Sequence, residues 1–307
     1  MDTQALRSLV AAVEAGSLTA AARRLGVTQP AVSQKLAALE SDFGQPLLVR
    51  SRQGVRPTPA GQVAYEHGLR VLADLAEMRS ALDALKGEVA GTLRVTTNML
   101  LSQTVMGPII AELRQRHPRL RIDLVATDAV LDLDAERIDL AIRANAPGSG
   151  NGVVRKIGEL DGVLVATPAY LDSAGRPSGP EDLGRLGYIQ YRDDPEEREI
   201  ALRHAAGIVY APASPAFLAQ HPALVLHAVT SGLGFAKAPR FYVEALLGSG
   251  AMEVVLPDYT PMPKPLYLVQ AEHVKDAPRA RAFVETLLAT LGGVEGFIPA
   301  ASRIGTR

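Results

Sequence analysis

Residues 17–38 read SLTAAARRLGVTQPAVSQKLAA, and several side chains in that run are suited to reading base edges. The pattern predicts a helix over 18–25, a stop at Gly26 and a second helix over 29–43, a helix-turn-helix. Ala22 is small enough for two helices to cross closely, and Gly26 can take a positive-φ turn without steric cost. Val32, Leu36 and Leu39 recur at i, i+4 and i+7 and therefore turn inward. At 3.6 residues per turn, Gln29, Pro30, Ser33, Gln34 and Ala37 gather on a different face, small and polar. Glutamine can bond adenine bidentately, and serine can serve donor or acceptor edges. A three-helix unit with a polar face also occurs as a protein-interaction module, so the helix pair alone leaves both uses open. Arg50, Arg52 and Arg56 favour DNA. They fall on a wing predicted at 47–50 and 54–56 around a turn at 52–54, beside phosphates or a minor groove.

Other chemistries lack their residues. The chain has no cysteine, which removes disulfides, thiol nucleophiles, thiolate zinc sites and thiol-oxidation sensing. The histidines at 67, 117, 204, 221, 227 and 273 are scattered, with no HExxH, so a structural zinc site is not expected. Gly148-Ser149-Gly150-Asn151-Gly152 lacks the GKS or GKT ending of a phosphate loop and reads as a mobile loop. No GxSxG elbow is present. Neither catalytic residues nor a cofactor are expected, and the protein reads as no enzyme.

Charge separates along the chain. The 307 residues sum to −1, a balance that by itself discourages a nucleic-acid role. Residues 1–58, however, hold seven cations and four anions, a net +3, while the other 249 residues hold 25 cations and 29 anions, a net −4. A basic head on an acidic body suggests a nucleic-acid module joined to something else.

The elements that must position these residues follow from periodicity. Leu6, Leu9, Val10 and Val13 predict a first helix capped by Thr3. Ser17 or Thr19 starts the second, and Thr28 caps the third, with Pro30 in its first turn. A long helix is predicted from 59 to 86, stopped by Gly87. Ala64, Gly68, Val71, Leu75, Met78, Leu82 and Leu85 alternate steps of four and three along it, an unbroken heptad seam. Such a seam packs on its own domain or on a twin; a new pattern begins at Gly91, which favours the twin. Val71, Leu75, Met78, Leu82 and Leu85 are the expected dimerisation residues.

Beyond Gly91, strands at 93–97, 120–125, 138–142, 162–166, 187–191, 235–238 and 266–270 alternate with helices at 102–116 and 279–291, predicting a parallel-sheet α/β architecture. Between Arg203 and Lys237 there is no charged residue. Pro212, Pro215 and Pro222 interrupt that stretch as a membrane span, so it reads as buried strands and a core helix. The opening Met1-Asp2-Thr3-Gln4 lacks a basic, leucine-rich leader, and a cytoplasmic location is expected. Residues 296–307 are expected to be a flexible tail.

Residues 21–61, AARRLGVTQPAVSQKLAALESDFGQPLLVRSRQGVRPTPAG, resemble the N-terminal signature of LysR-type transcriptional regulators. The resemblance rests on Thr28-Gln29-Pro30-Ala31-Val32-Ser33, Leu39-Glu40, Phe43-Gly44, Leu47-Leu48-Val49-Arg50 and Thr58-Pro59-Ala60-Gly61. It extends through Leu93-Arg94-Val95, Arg137-Ile138-Asp139-Leu140-Ala141-Ile142-Arg143, Ala166-Thr167-Pro168-Ala169-Tyr170-Leu171 and Ser231-Gly232-Leu233-Gly234. It implies a winged helix-turn-helix over 1–58, a dimerising linker helix over 59–87 and an effector domain over 91–295. That domain would be periplasmic-binding-protein-like, of type 2, with two Rossmann-like α/β subdomains: one over about 91–161 and 267–295, the other over about 162–266. It further implies a homotetramer that binds double-stranded promoter DNA and alters its bending when a small molecule enters the interdomain cleft, with no membrane partner. By position, Thr28, Gln29, Pro30, Ser33, Gln34 and Lys35 would touch DNA, with Arg50 and Arg52 on the wing. Position 34 often carries arginine in such proteins, so the base preferred by glutamine here is left open.

Ligands of open α/β folds sit beyond the carboxyl ends of strands, near helix N-termini. That rule selects Thr96, Thr97, Asn98 and Ser102 around the first strand, Thr127 after the second and Asn145 after the third. It also selects Gln190 and Tyr191, where the resemblance places the crossover between subdomains, and Gln220 and His221, after a return crossover at 217–219 and before a helix started by Pro222. Each of these serves equally well as a helix cap or strand-end hydrogen bond. Together they form a polar ring without obligatory charge, suited to a small polar or anionic metabolite. The alternatives are a solute-binding protein, opposed by the basic head, and a nucleotide-dependent α/β enzyme, opposed by the missing phosphate fingerprint.

Overall fold

The computed structural model describes residues 2–51, 54–85, 88–144, 152–192 and 198–300. The chain divides into two compact units, residues 1–87 and 88–307, each taken by itself. Arg52, Asn145, the side chain of Leu85, the glycine-rich stretch at 148–151 and the end of the tail at 301–307 lie outside the described residues.

The first unit runs α1 (Thr3–Ala15), α2 (Leu18–Leu25), α3 (Gln29–Phe43), β1 (Leu48–Ser51), β2 (Gly54–Pro57) and α4 (Pro59–Leu85). Asp2 caps α1 by accepting from the Gln4 N–H at 2.9 Å, so Thr3 is the first helical residue and not the cap. Ser17 caps α2, whereas Thr28 holds the N-cap position of α3 without a side-chain bond. Gly16, Gly26 and Gly44 end the three helices in the left-handed conformation, which costs glycine nothing. Leu9, Ala12, Ala21, Val32, Leu36 and Leu39 are completely buried at the centre.

The start of α4 belongs to this core. Ala60, Ala64, Val71 and Leu72 pack against it, and a methyl on Gly68 would come within 3.4 Å of Leu6. Part of the seam therefore packs on its own head, and Val71, one of the residues expected at a dimer contact, is in that part. Met78 and Leu82 are half exposed, at 53% and 52%.

The second unit opens with β3 (Gly91–Thr97), α5 (Met99–Thr104), α6 (Met106–Arg116), β4 (Leu120–Ala126), β5 (Leu140–Arg143) and β6 (Val153–Leu160). It continues with β7 (Gly162–Ala166), α7 (Pro168–Ala174), a 3₁₀ turn at Pro180–Arg185, β8 (Tyr188–Tyr191), β9 (Glu199–His204), β10 (Gly207–Pro212), β11 (Pro215–Ala219) and α8 (Pro222–Thr230). It closes with β12 (Phe235–Pro239), α9 (Arg240–Gly248), β13 (Glu253–Val254), β14 (Thr260–Pro261), β15 (Lys264–Gln270), a 3₁₀ turn at Glu272–Val274, α10 (Pro278–Gly292) and β16 (Phe297–Pro299).

Among the described residues of this unit three sheets result: β16-β6-β15-β5-β3-β4, β11-β8-β12-β7-β13 and β10-β9-β14. β3 is parallel to β4 and β5, and β8 is parallel to β11 and β12. β15 runs antiparallel to both β5 and β6, and β7 antiparallel to β12 and β13. The sheets are thus mixed rather than wholly parallel. Leu93, Val95, Ile109, Leu113, Phe283 and Leu287 are fully buried against the first large sheet. Val163, Val165, Ile189, Val229 and Val243 fill one face of the second.

Several boundaries differ from the sequence expectations. The chain passes from the first large sheet to the second at Asp161, between β6 and β7, and returns between β14 and β15. The expected crossovers at 190–191 and 217–219 are instead the ends of β8 and β11, parallel neighbours within the second sheet. β15 starts at Lys264, three residues before the expected boundary. The expected tail begins with an ordered strand: β16 pairs antiparallel with β6, Phe297 opposite Leu160. The helix expected over 102–116 is two helices parted at Val105. The charge-free stretch is less buried than expected, because β10 and β11 are sheet edges that leave Ile208, Tyr210 and Phe217 exposed. Among the described residues no helix is long and apolar enough to cross a membrane.

Candidate functional site

In the first unit, α3 presents Thr28, Gln29, Pro30 and Gln34 to solvent, with Ser33 and Lys35 half-buried, while Val32, Leu36 and Leu39 anchor the opposite side. The hairpin β1–β2 is fastened to that helix at two points. Glu40 Oε1 accepts from the backbone N–H of Leu47 at 2.8 Å and of Leu48 at 3.1 Å. Arg50 Nη1 donates to Ser33 Oγ at 3.2 Å. Thr58 joins the hairpin to α4, its hydroxyl donating to Pro46 O at 2.8 Å and accepting from the Gly61 N–H at 2.9 Å. Gly61 is required there, since a Cβ would lie 1.8 Å from Leu47 O. Sequence reasoning found the helix face and the wing cations but missed Glu40 and Thr58 as the groups that position them. The spacing of polar residues around the wing held that signal.

In the second unit, a cavity of about 80 Å³ lies between the two larger sheets. Of the residues expected at an effector, Asn98 and Tyr191 line it. Asn98 also caps α5 by accepting from the Leu101 N–H at 2.9 Å. The Tyr191 hydroxyl donates to Asp128 Oδ2 at 2.5 Å, and Asp128 Oδ1 accepts from the Met99 N–H at 3.1 Å. His221 caps α8, its Nδ1 accepting from the Ala223 N–H at 3.3 Å, and its Nε2 is 3.4 Å from the Gln103 amide nitrogen. Tyr191–Asp128 and His221–Gln103 are both contacts from the second sheet's segments to the first's.

The other expected residues are used differently. Thr96 is fully buried, donating to Val125 O at 2.9 Å and accepting from Arg143 Nη2 at 3.2 Å. Ser102 lies inside α5 rather than at its start and donates back to Met99 O at 2.7 Å. Thr127 Oγ1 accepts from the Ala129 N–H at 3.2 Å. Gln190 is buried and Gln220 exposed. The Thr97 hydroxyl is fully buried and meets no hydrogen-bond partner among the described residues.

The cavity wall departs from the expected polar ring. Leu100, Leu160, Val165, Val225, Leu226, Val229, Tyr242 and Met262 make most of it, with Lys237, Lys264 and Asp161 as its charged members. Burial pushes the Tyr242 phenol up, so it stays a neutral hydroxyl at ordinary pH. Asp161 lies 3.8 Å from Arg203. Among the described residues no cluster of His, Asp or Glu is arranged to hold a metal ion.

Residues 3–62 match the family described as bacterial regulatory helix-turn-helix protein, lysR family, and residues 86–292 match the LysR substrate binding domain. The transcriptional activator AaeR of Escherichia coli is 29% identical over 276 residues, 90% of this chain and 89% of its own. An HTH-type transcriptional regulator of Xanthomonas campestris is 31% identical over 286 residues, 92% of this chain and 83% of its own. Two full-length structures share the fold at 24% identity. One is the Vibrio cholerae virulence activator AphB, with TM-score 0.61 over 94% of this chain and 99% of that one. The other is the LysR-type regulator CrgA of Neisseria meningitidis, with TM-score 0.61 over 95% and 100%.

Proposed function

This chain belongs to the LysR family of DNA-binding transcriptional regulators, and from that premise we propose that a small molecule in the body's cavity controls how its head engages promoter DNA. The observation that carries the reading is the α3 face. Its exposed Gln29 and Gln34 stand beside Ser33, and the wing's Arg50 is bonded to that serine. Thr28, Gln29, Pro30, Ser33 and Gln34 read or line the major groove, while Lys35, Arg50 and Arg52 engage phosphates or the neighbouring minor groove. Residues 1–58 form the DNA module, 59–87 the linker and the remainder the sensor.

Two heads are presented by a homodimer formed along α4, through Leu75, Met78, Leu82 and Leu85, and two dimers make a homotetramer. A two-fold assembly suits a two-fold symmetric operator. A ligand that binds one arrangement of the two sheets better than another shifts the population toward it, and with it the DNA affinity. Asn98 and Tyr191 are the polar groups assigned to that ligand, and the protein acts in the cytoplasm.

The test is a gel shift of the full-length protein on the DNA upstream of its own gene against scrambled DNA. Ser33→Ala with Gln34→Ala should erase the difference between the two sequences while leaving weak binding to both. Equal binding of the unaltered protein to both sequences at every salt concentration would overturn the reading.

A further inference from the structure

One side chain fixes the base of the wing against α3, and its bearing on DNA rests on the reading above that this face meets DNA. Glu40 lies half-buried in the last turn of α3. Its Oε1 alone accepts both the Leu47 N–H at 2.8 Å and the Leu48 N–H at 3.1 Å. Leu47 and Leu48 are buried, so their amides need an acceptor from the protein. The other strand of the wing is fixed as well. The Val55 N–H donates to Gly16 O at 2.8 Å, and a Cβ on Gly54 would lie 2.5 Å from that oxygen. The hairpin is thus held between the end of α1 and the end of α3, and it carries Arg50 on β1.

We infer that Glu40 is a positioning residue for DNA binding. Its two bonds to the base of β1 set where Arg50 stands, without contact to DNA and without use of its charge. Only one oxygen does the accepting, and a glutamine carbonyl can accept the same two bonds. A carboxylate near phosphates repels them, so a role through charge and a role through placement predict different outcomes for glutamine. Without an acceptor the two amides turn to water, and β1 leaves α3. Arg50 then loses the place from which it meets Ser33 and a phosphate.

The test is a salt series of gel shifts with the full-length protein, on the DNA upstream of its own gene and on scrambled DNA. Glu40→Gln should bind within about twofold of the unaltered protein, with the same salt dependence. Glu40→Ala, checked for unchanged melting, should bind both DNAs roughly tenfold more weakly, the range of one charge-assisted bond. Its slope of log affinity against log salt should fall by about one, as for Arg50→Gln. Added to Arg50→Gln, it should weaken binding by less than about threefold further, because the contact it positions is already gone. Glu40→Asp keeps the charge but shortens the reach by one methylene. It should move the slope in the same direction, and it replaces alanine if alanine unfolds the head.

Tighter DNA binding by Glu40→Gln than by the unaltered protein overturns the proposal, because the charge then matters. So does an equal loss from Glu40→Ala with and without Arg50→Gln, the signature of a general weakening of the head. A phosphate contact is read on scrambled DNA too, which separates this from the regulator reading. The expected Glu40 pattern with equal binding to both DNAs supports the positioning role and overturns the regulator reading. Sequence-specific binding that ignores Glu40→Ala overturns the positioning role alone.

Discussion

Arg50 and Ser33 meet where the wing touches the helix proposed to face DNA, and the direction of their bond decides what Ser33 has left to offer. With a guanidinium donating to its oxygen, the hydroxyl keeps its own hydrogen for an acceptor, such as purine N7, guanine O6 or thymine O4. Ser33→Ala should therefore lower discrimination at one base pair by about 1 kcal/mol, whereas Arg50→Gln should reduce the slope of log affinity against log salt by about one. Because the two side chains touch, a double-mutant cycle on DNA affinity should give a coupling of about 0.5 kcal/mol or more. Strict additivity would sink the idea that Arg50 sets the orientation of Ser33.

Thr97 poses the opposite case, a buried hydroxyl without a hydrogen-bond partner among the described residues. Replacing it by isosteric valine should leave the ligand-free protein as stable, or more stable by about 1 kcal/mol, because an unpaired polar group is removed without opening a cavity. Urea midpoints measure this, and a large destabilisation would show that the hydroxyl is already paired. Residues of the first kind are legible in a sequence, because polar side chains opposite an apolar helix stripe stand out. Val165 and Lys237 are not, since nothing in a strand's alternation tells a cavity wall from a core.

At the scale of elements, α4 carries one continuous pattern, to which the proposed homodimer would give two jobs. Its heptad steps from Ala64 to Leu85 do not reveal where the duty changes; packing does. Ala64, Gly68 and Val71 lie on the head, while Met78 and Leu82 stay exposed. Val71→Ala should lower the stability of the head by about 1–2 kcal/mol, read in a denaturant melt, with little effect on assembly. Met78→Asp with Leu82→Asp should leave folding intact and shift sedimentation toward smaller species. If Val71→Ala alone dissociated the assembly, this division of α4 would be wrong.

Gly61 tests the joint between wing and linker. A methyl there meets the Leu47 carbonyl, which a backbone shift alone can relieve, so Gly61→Ala should cost about 2 kcal/mol and loosen the wing. Helix limits were legible because they depend on local chemistry: Gly26 and Gly44 stop α2 and α3 where expected. Pairings such as β16 on β6, or β15 between β5 and β6, were not. They join segments over a hundred residues apart in the sequence, and no local propensity encodes a partner at that distance.

Over the whole molecule, a near-neutral sum conceals a +3 head and a −4 body, so the attraction to DNA is concentrated where α3 and the wing are. What remains is how a ligand in the body would alter that attraction. The two larger sheets are joined at the cavity by Tyr191 to Asp128 and by His221 to Gln103. Asp128 is also held by the Met99 N–H, so its carboxylate is fixed and the Tyr191 hydroxyl stabilises one spacing of the sheets. Tyr191→Phe removes that bond while keeping the ring in the wall, and it should favour arrangements of the sheets that the bond disfavours. Linkage then makes a quantitative demand. Whatever factor an effector applies to operator affinity, operator DNA must apply to effector affinity, in the unaltered protein and in Tyr191→Phe alike. The substitution should change this shared factor by roughly two- to tenfold, the range of one net hydrogen bond. Titrating the effector with and without saturating operator, and operator with and without the effector, measures both sides of the cycle. If the factors agree but Tyr191→Phe leaves them unchanged, the bond between the sheets plays no part in the coupling. If an effector binds but both factors equal one, the cavity and the DNA face work independently.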